Sequence, residues 1–196
     1  MSDRETLDAY AAKAEDYAKL VARSKPDRDL RAFISTLRPS ARVLDLGCGP
    51  GNSAAMMRDA GLEVDAWDAS PEMVEIARDT HGIAAKLATF DDLADIDAYD
   101  GIWANFSLLH APRDAMPRHL RAIHVALKFG GVLHLGLKAG EGSERDSLGR
   151  HYTYYTETEL RGLLEDAGLA VKHVRHGKMD GMAKPNEPFM IVTAIA

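Results

Sequence analysis

Apolar residues in this chain recur with two different periods, and the changes of period mark out the elements. Ahead of Ala41 the helical period dominates. Residues 6–21 form an Ala- and Lys-rich stretch that predicts one helix, with Tyr10 and Tyr17 seven apart on one face. After a break at RSKPD, Leu30, Phe33, Ile34 and Leu37 line one side of a second helix. From Ala41 onward short apolar runs take over. ARVLDL, LEVDAWD, IAAKLAT, YDGIWAN and VLHLGLK predict five strands. Between them, NSAAMMRDAG and SPEMVEIARDTHG predict helices, the first stopped by Gly61 and the second capped by Ser70 with Pro71 at its first position. PRDAMPRHLRAIHVALKFGG predicts another, with Met116, Leu120, Ile123 and Leu127 on one face. TETELRGLLEDAG adds a last helix, with Thr156 and Glu159 spaced as a capping box and Gly168 as its stop. LAVKHVRHG and FMIVTAIA close the chain as two strands around a loop holding Pro185 and Pro188. Strands alternating with helices predict an α/β fold with a mostly parallel sheet covered on both faces. The two closing strands have no helix between them and can pair antiparallel. Ligands of such sheets bind beyond the carboxyl ends of the strands, where the strand order switches direction.

Composition narrows the class. The 196 residues fit one domain, and 46% apolar content supplies a sizeable core. A net charge of -6 argues against a surface built for phosphate backbones, so no nucleic-acid partner is expected. One cysteine excludes an intramolecular disulfide and fits a reducing compartment. The first twenty or so residues lack the apolar core of a signal peptide, and no run reaches the roughly 20 apolar residues of a membrane span. The expectation is a soluble, cytoplasmic protein without membrane contact. The oligomeric state stays open.

Candidate chemistry concentrates in VLDLGCGPGNS, residues 43–53. Three glycines at alternate positions, Gly47, Gly49 and Gly51, follow a strand that carries an acid, Asp45. Backbone without Cβ atoms can turn sharply and come close to a ligand. Such a turn by itself is shared by many nucleotide sites. Here Pro50 removes one N–H, and Asp45 adds negative charge where a dinucleotide would put its phosphates. Asp68 ends the next strand, where an acid can accept from both hydroxyls of a ribose. Together these features suit a ligand with an adenosine and a positive charge but no phosphate. A nicotinamide-dependent oxidoreductase is disfavoured on the same grounds.

VLDLGCGPG followed by WDASPEMVEIAR resembles the class I S-adenosylmethionine-dependent methyltransferases, and the likeness runs from Ala41 to the final strand. The later stretch LKAGEGSERDSLGRHYTYYTETEL is similar to the small tellurite-resistance-type and related small-molecule enzymes of that group. The resemblance implies a three-layer, Rossmann-like, seven-stranded sheet with an antiparallel last strand. It implies one methyltransferase domain over residues 1–196, a helical cap (1–38) on a core (41–196). It implies S-adenosyl-L-methionine as cofactor, held by Asp45, Gly47, Cys48, Gly49, Gly51, Asp68, Ala69, Met73, Phe90, Asp91, Asn105 and Phe106. In that reading Asp45 lies near the amino group, Asp68 on the ribose, and Met73, Phe90 and Asp91 near the adenine. Asp91 and Asp92 can equally be the favourable charges of a helix start. The implied reaction is methyl transfer to a small-molecule acceptor at N, O, S or a metalloid. An RNA or protein methyltransferase and a cofactor-binding protein without catalysis stand as alternatives.

The sulfonium needs no activation, so a base is required only when the nucleophile must lose a proton. His110, after the fourth strand, is the first candidate beside the methyl group, or else it fixes the loop's shape. His151 in GRHYTYY is the second. Its neighbours Tyr152, Tyr154 and Tyr155 can line an aromatic pocket, and Arg150 can pair with an anionic substrate. Tyr10 and Tyr17 form a lid or simply dock their helix. Lys138 ends the fifth strand and either reaches the site or marks the strand's solvent end. No base partners Cys48, so a nucleophilic role is discounted. No Cys/His cluster has metal spacing, so no metal is expected. KHVRHGK reads as the exposed face of an edge strand.

Overall fold

The computed structural model describes residues 3–196; residues 1 and 2 of the expected helical cap lie outside the described residues. Three helices come first: α1 (Arg4–Ala11), α2 (Ala14–Val21) and α3 (Arg28–Ser35). Then β1 (Arg42–Leu46), α4 (Asn52–Asp59), β2 (Glu63–Asp68), α5 (Pro71–His81), β3 (Lys86–Leu87) and β4 (Tyr99–Asn105) alternate. The chain continues through α6 (Met116–Ala126), β5 (Leu127–Lys138), β6 (Ser143–Arg145), β7 (His151–Thr153), α7 (Glu157–Asp166), β8 (Ala170–Met179) and β9 (Glu187–Ile195).

Among the described residues one seven-stranded sheet runs in the order β3-β2-β1-β4-β5-β9-β8. β1 pairs parallel with β2 and β4, β2 with β3, and β4 with β5. β9 is antiparallel to both its neighbours, as expected for the last strand. β1 is buried from Val43 to Leu46, which is why it reads as an unbroken apolar run with one acid in it. One sheet face packs Val43, Trp103 and Val132 against Leu30 and Phe33 of α3. The other packs Leu44, Leu46, Ile102, Leu133 and Leu135 against Leu120, Ile123, Leu160 and Leu164 of α6 and α7. Strand order reverses at β1, with β2 on one side and β4 on the other. The crevice past the ends of β1 and β4 is therefore the place for a ligand.

The structure corrects four expectations. Residues 6–21 form two helices, broken at Ala12 and Lys13, where Lys13 leaves helical geometry (φ -131°, ψ 24°). Both halves dock on α5, and that contact overrides the helix propensity of the stretch. β5 begins at Leu127 and not at Val132, because Gly130 N–H donates to the Ala196 carbonyl and Ala196 N–H to that of Gly131. The glycine-rich stretch before α7 holds a short hairpin, β6 against β7. Arg145 ties it to Asp3 (2.9 and 3.0 Å). Pro188 lies inside β9, near its start, where a missing N–H is tolerated. Its carbonyl accepts from Ala139 N–H.

Candidate active site

The loop after β1 spends its own hydrogen-bond donors on the protein. Gly47 and Cys48 N–H both donate to the Trp67 carbonyl (2.8 and 2.9 Å), and Gly51 N–H donates to Cys48 (3.1 Å). Gly49 N–H donates to Asp68 Oδ2 (2.8 Å). Pro50 has none to give. All three glycines have positive φ, yet they differ in what surrounds them. A Cβ on Gly47 would lie 2.4 Å from Ser107 Cβ, and one on Gly51 2.9 Å from Ala77 Cβ. At Gly49 the nearest atom is a ring carbon of Tyr17, 3.7 Å away. Gly49 thus has room for a Cβ against the Tyr17 ring, whereas Gly47 and Gly51 are bare because other parts of the protein press on them.

A cavity of about 600 Å³ opens over this loop. Asp45 and Asp68 both line it. Asp45 is 2% exposed, and its Oδ2 has no hydrogen-bond partner among the described residues. Burial first, and then the Asp68 charge, push its carboxyl up to about 8. Burial raises Asp68 as well, against the pull of the backbone N–H groups it accepts. Ser70 N–H supplies one of these, at 2.9 Å from Oδ1. Two raised carboxyls, one with an orphaned oxygen, form a site that a cation relieves. A phosphate would find no loop N–H to meet it and two acids to repel it. The residues present therefore fit S-adenosylmethionine, whose ammonium and sulfonium are positive and which has no phosphate.

At the β2–β3 end of the cavity stand Ala69, Met73, Phe90 and Asp91. His119 of α6 joins them, its ring edge-to-face with Phe90 at 5.6 Å. Arg118 donates to Asp91 Oδ1 (2.5 Å), so that oxygen already holds a cation.

At the opposite end, the break between α1 and α2 swings two tyrosines together. Residues seven apart on a straight helix are about 10 Å apart along its axis. The Tyr10 and Tyr17 rings instead meet edge-to-face with centroids 5.2 Å apart. His110 Nδ1 lies 2.7 Å from the His151 carbonyl, which only accepts, so Nδ1 carries the proton. Its Nε2 lies 2.9 Å from Tyr10 Oη and takes the phenol proton as a hydrogen bond. Burial depresses His110 to about 4, so the ring is neutral. Arg150 lies over the Tyr10 and Tyr152 rings and donates to Asp146 from Nε (3.0 Å) and Nη2 (2.6 Å). Lys138 is buried, not at a solvent end, and donates to Glu187 Oε1 (2.7 Å).

Asn105 and Phe106 line the cavity past β4. The Asn105 Oδ1 accepts from His134 Nε2–H (3.0 Å), and His134 is stacked on Trp103 with centroids 3.5 Å apart. A Cβ on Gly136 would lie 2.5 Å from that same Oδ1, so the bare position makes room for the amide. Phe106 follows at φ 56°, an uncommon conformation for a large residue and one that concentrates at functional turns.

Four expected site residues stand outside the cavity, among them Tyr155, which is fully buried in the core with Arg113 over its ring. Gly51 packs on Ala77 and Ile83, joining α4 to α5. In β7 alternate residues point opposite ways, and Tyr152 takes the inward place. His151 therefore contributes through its backbone: its N–H donates to Thr6 Oγ1 (2.8 Å) and its carbonyl orients His110. Tyr154 is drawn to the hairpin, where its hydroxyl donates to Glu144 (2.7 Å). Sequence reasoning missed Ser107, His119, His134, Arg175 and Glu187. Ser107 Oγ donates to the Leu46 carbonyl (2.6 Å), directly under the glycine loop. Only its position after a strand could have flagged it; the others read as helix or strand pattern.

Among the described residues no helix is long and apolar enough to cross a membrane. None of their side chains form a group of three or more metal-ligating residues.

A family model described as a methyltransferase domain matches residues 15–174. The trans-aconitate 2-methyltransferase of Mycolicibacterium gilvum is 37% identical over 92 residues, which is 46% of this chain and 35% of that protein. The chain thus spans about a third of the length of that curated relative. The Burkholderia thailandensis 1,6-didemethyltoxoflavin-N1-methyltransferase, solved with S-adenosylhomocysteine, has a similar fold, with a TM-score of 0.76 at 23% identity over 98% of this chain and 87% of that one. A TehB-like SAM-dependent methyltransferase from Corynebacterium glutamicum superposes with a TM-score of 0.69 at 19% identity, over 98% of each chain.

Proposed function

The chain belongs to the methyltransferase-domain family, and from that premise we propose that it transfers the methyl group of S-adenosylmethionine to a small-molecule acceptor. One observation carries the choice of cofactor: from Gly47 to Gly51 every backbone N–H is already used, beside an acid whose Oδ2 has no partner. That suits a cationic, phosphate-free nucleoside and not a dinucleotide. When bound, the cofactor supplies an electrophilic methyl group on its sulfonium.

The chain's own part is holding and orienting. Asp68 keeps free acceptor capacity for ribose hydroxyls alongside its two backbone bonds. Asp45 receives the ammonium. Phe90, Met73 and His119 wall the adenine end, and Asn105 with Phe106 wall the methionine end. Tyr10, His110, Lys138, Arg150 and Tyr152 border the acceptor. Orientation of a nucleophile in line with the reacting bond accounts for several kcal/mol of the barrier in such reactions. His110 is a hydrogen-bond acceptor that positions Tyr10 and not a proton acceptor, because its lone pair is engaged and its basicity is low.

Calorimetry with S-adenosylmethionine and with S-adenosylhomocysteine tests the reading. Heat with both and none with NAD is expected. Transfer of labelled methyl to a panel of small nucleophiles then tests catalysis. No heat with either cofactor form would remove the reading.

A further inference from the structure

Beyond the glycine loop, the cavity ends in a compartment walled by two buried cations. The Arg150 and Lys138 side chains are 5% and 9% exposed. Each has one carboxylate partner, Asp146 and Glu187 respectively, and neither is saturated by it. Arg150 Nη1 has only the Tyr10 hydroxyl oxygen and the Met182 thioether, both at 3.5 Å. That is the outer limit of a hydrogen bond, and a thioether is a weak acceptor. Lys138 has three N–H donors and one oxygen partner among the described residues; its Nζ otherwise rests 3.6 Å from the centre of the Tyr152 ring. Arg150 lies over that same ring, at 5.3 Å. Both cations therefore stand against the Tyr152 ring, each with donors under-used. Buried N–H groups of a cation without a good acceptor are costly, and an oxyanion is their natural complement.

We propose that the acceptor is a small organic acid whose carboxylate is held between Lys138 and Arg150, an inference that rests on the methyltransferase reading. The alternative source of a carboxylate is the cofactor's own methionine part. Placement favours the acceptor. Lys138 ends β5, two strands from β1, and adjacent strands lie about 4.8 Å apart, so the clamp stands roughly 10 Å from the loop that faces Asp45. The neighbouring groups agree. His110 offers no free base, and a carboxylate needs none to be ionised in place.

The test uses the whole chain saturated with S-adenosylhomocysteine. Acetate, succinate and benzoate, three sizes of acid, are titrated by ligand-observed NMR beside acetamide, succinamide and benzamide. At least one acid should bind at least tenfold more tightly than its amide. The paired variant Lys138→Met with Glu187→Gln should weaken that acid at least tenfold and leave S-adenosylhomocysteine affinity unchanged. Lys138→Arg should restore most of it. Repeating the titration with 5′-methylthioadenosine, which has no amino-acid part, separates the two sources. An acid that binds beside methylthioadenosine and is expelled by S-adenosylhomocysteine would assign the clamp to the cofactor and overturn the proposal. So would amides binding as well as acids, or no acid binding to a chain that binds S-adenosylhomocysteine. The wild-type comparison of acids with amides needs no variant to fold. If S-adenosylhomocysteine itself fails to bind, the methyltransferase reading falls, and acid titrations on the free chain still report on the clamp.

Discussion

At the scale of single residues, the three glycines of the loop do two different jobs. Gly47→Ala drives a Cβ into Ser107 at a positive φ, so it should destabilise the fold by about 2 kcal/mol or more, seen as a lowered melting temperature. Gly49→Ala meets only the Tyr17 ring, at ordinary contact distance, and should cost just the left-handed conformation, about 1 kcal/mol. Its larger effect should be on cofactor affinity, measured by calorimetry. Asp68→Ala should weaken S-adenosylhomocysteine binding by roughly 1–3 kcal/mol, the cost of leaving polar partners unmatched. The loop and its two acids were legible because a motif of short range fixes them: a strand, a turn without side chains, and the end of the next strand. His134 and Gly136 were not. They serve Asn105 from a neighbouring strand, and no spacing along the chain encodes a cross-strand contact between residues 29 positions apart.

Between elements, the contacts of α1 with the hairpin β6–β7 and with the turn after β4 shape the roof of the cavity. Asp3 with Arg145, Thr6 with His151, and Tyr10 with His110 fasten the helix at three points. Tyr10→Phe keeps the ring and removes the proton given to His110. It should cost about 1 kcal/mol of stability and raise the rate at which α1 opens, read by amide hydrogen exchange in residues 4–11. The sequence marks both tyrosines and their shared face but predicts one helix over residues 6–21. Propensity carries no mark of the break, which exists because both halves rest on α5. The hairpin was hidden for a related reason. Its strands are three residues each, too short for an alternating pattern to register.

Across the whole molecule, buried titrating groups set an optimum of pH. His110 and His134 sit at about 4 and about 3, against 6.5 for free histidine, because burial disfavours their charged forms. The unfolded chain binds those protons first, so stability falls as pH drops from about 6.5. Asp45 sits at about 8, far above 3.8. There the folded chain holds the proton, and stability falls as pH rises from about 4 through 8. Of these three groups the two histidines outweigh Asp45 below about 6.5 and Asp45 remains above it; Asp68, also raised by burial, adds to the alkaline decline, and His119, lowered by burial, to the acid one. Among these groups the ligand-free melting temperature should peak near pH 6.5. Saturating S-adenosylhomocysteine should flatten the alkaline side, since an ammonium beside Asp45 favours its charged form. An alkaline decline unchanged by the ligand would count against the Asp45 assignment. The layered sheet itself was legible because strand and helix periods alternate cleanly.

The position of β9 between β5 and β8 has a further consequence for how the protein is made. β8 leaves the ribosome before β9, yet among the described residues its only neighbour in the sheet is β9. It has nothing to join until the later strand emerges. The two must then zip together and seat as one unit on β5, so that flank of the sheet is the last to be completed during synthesis.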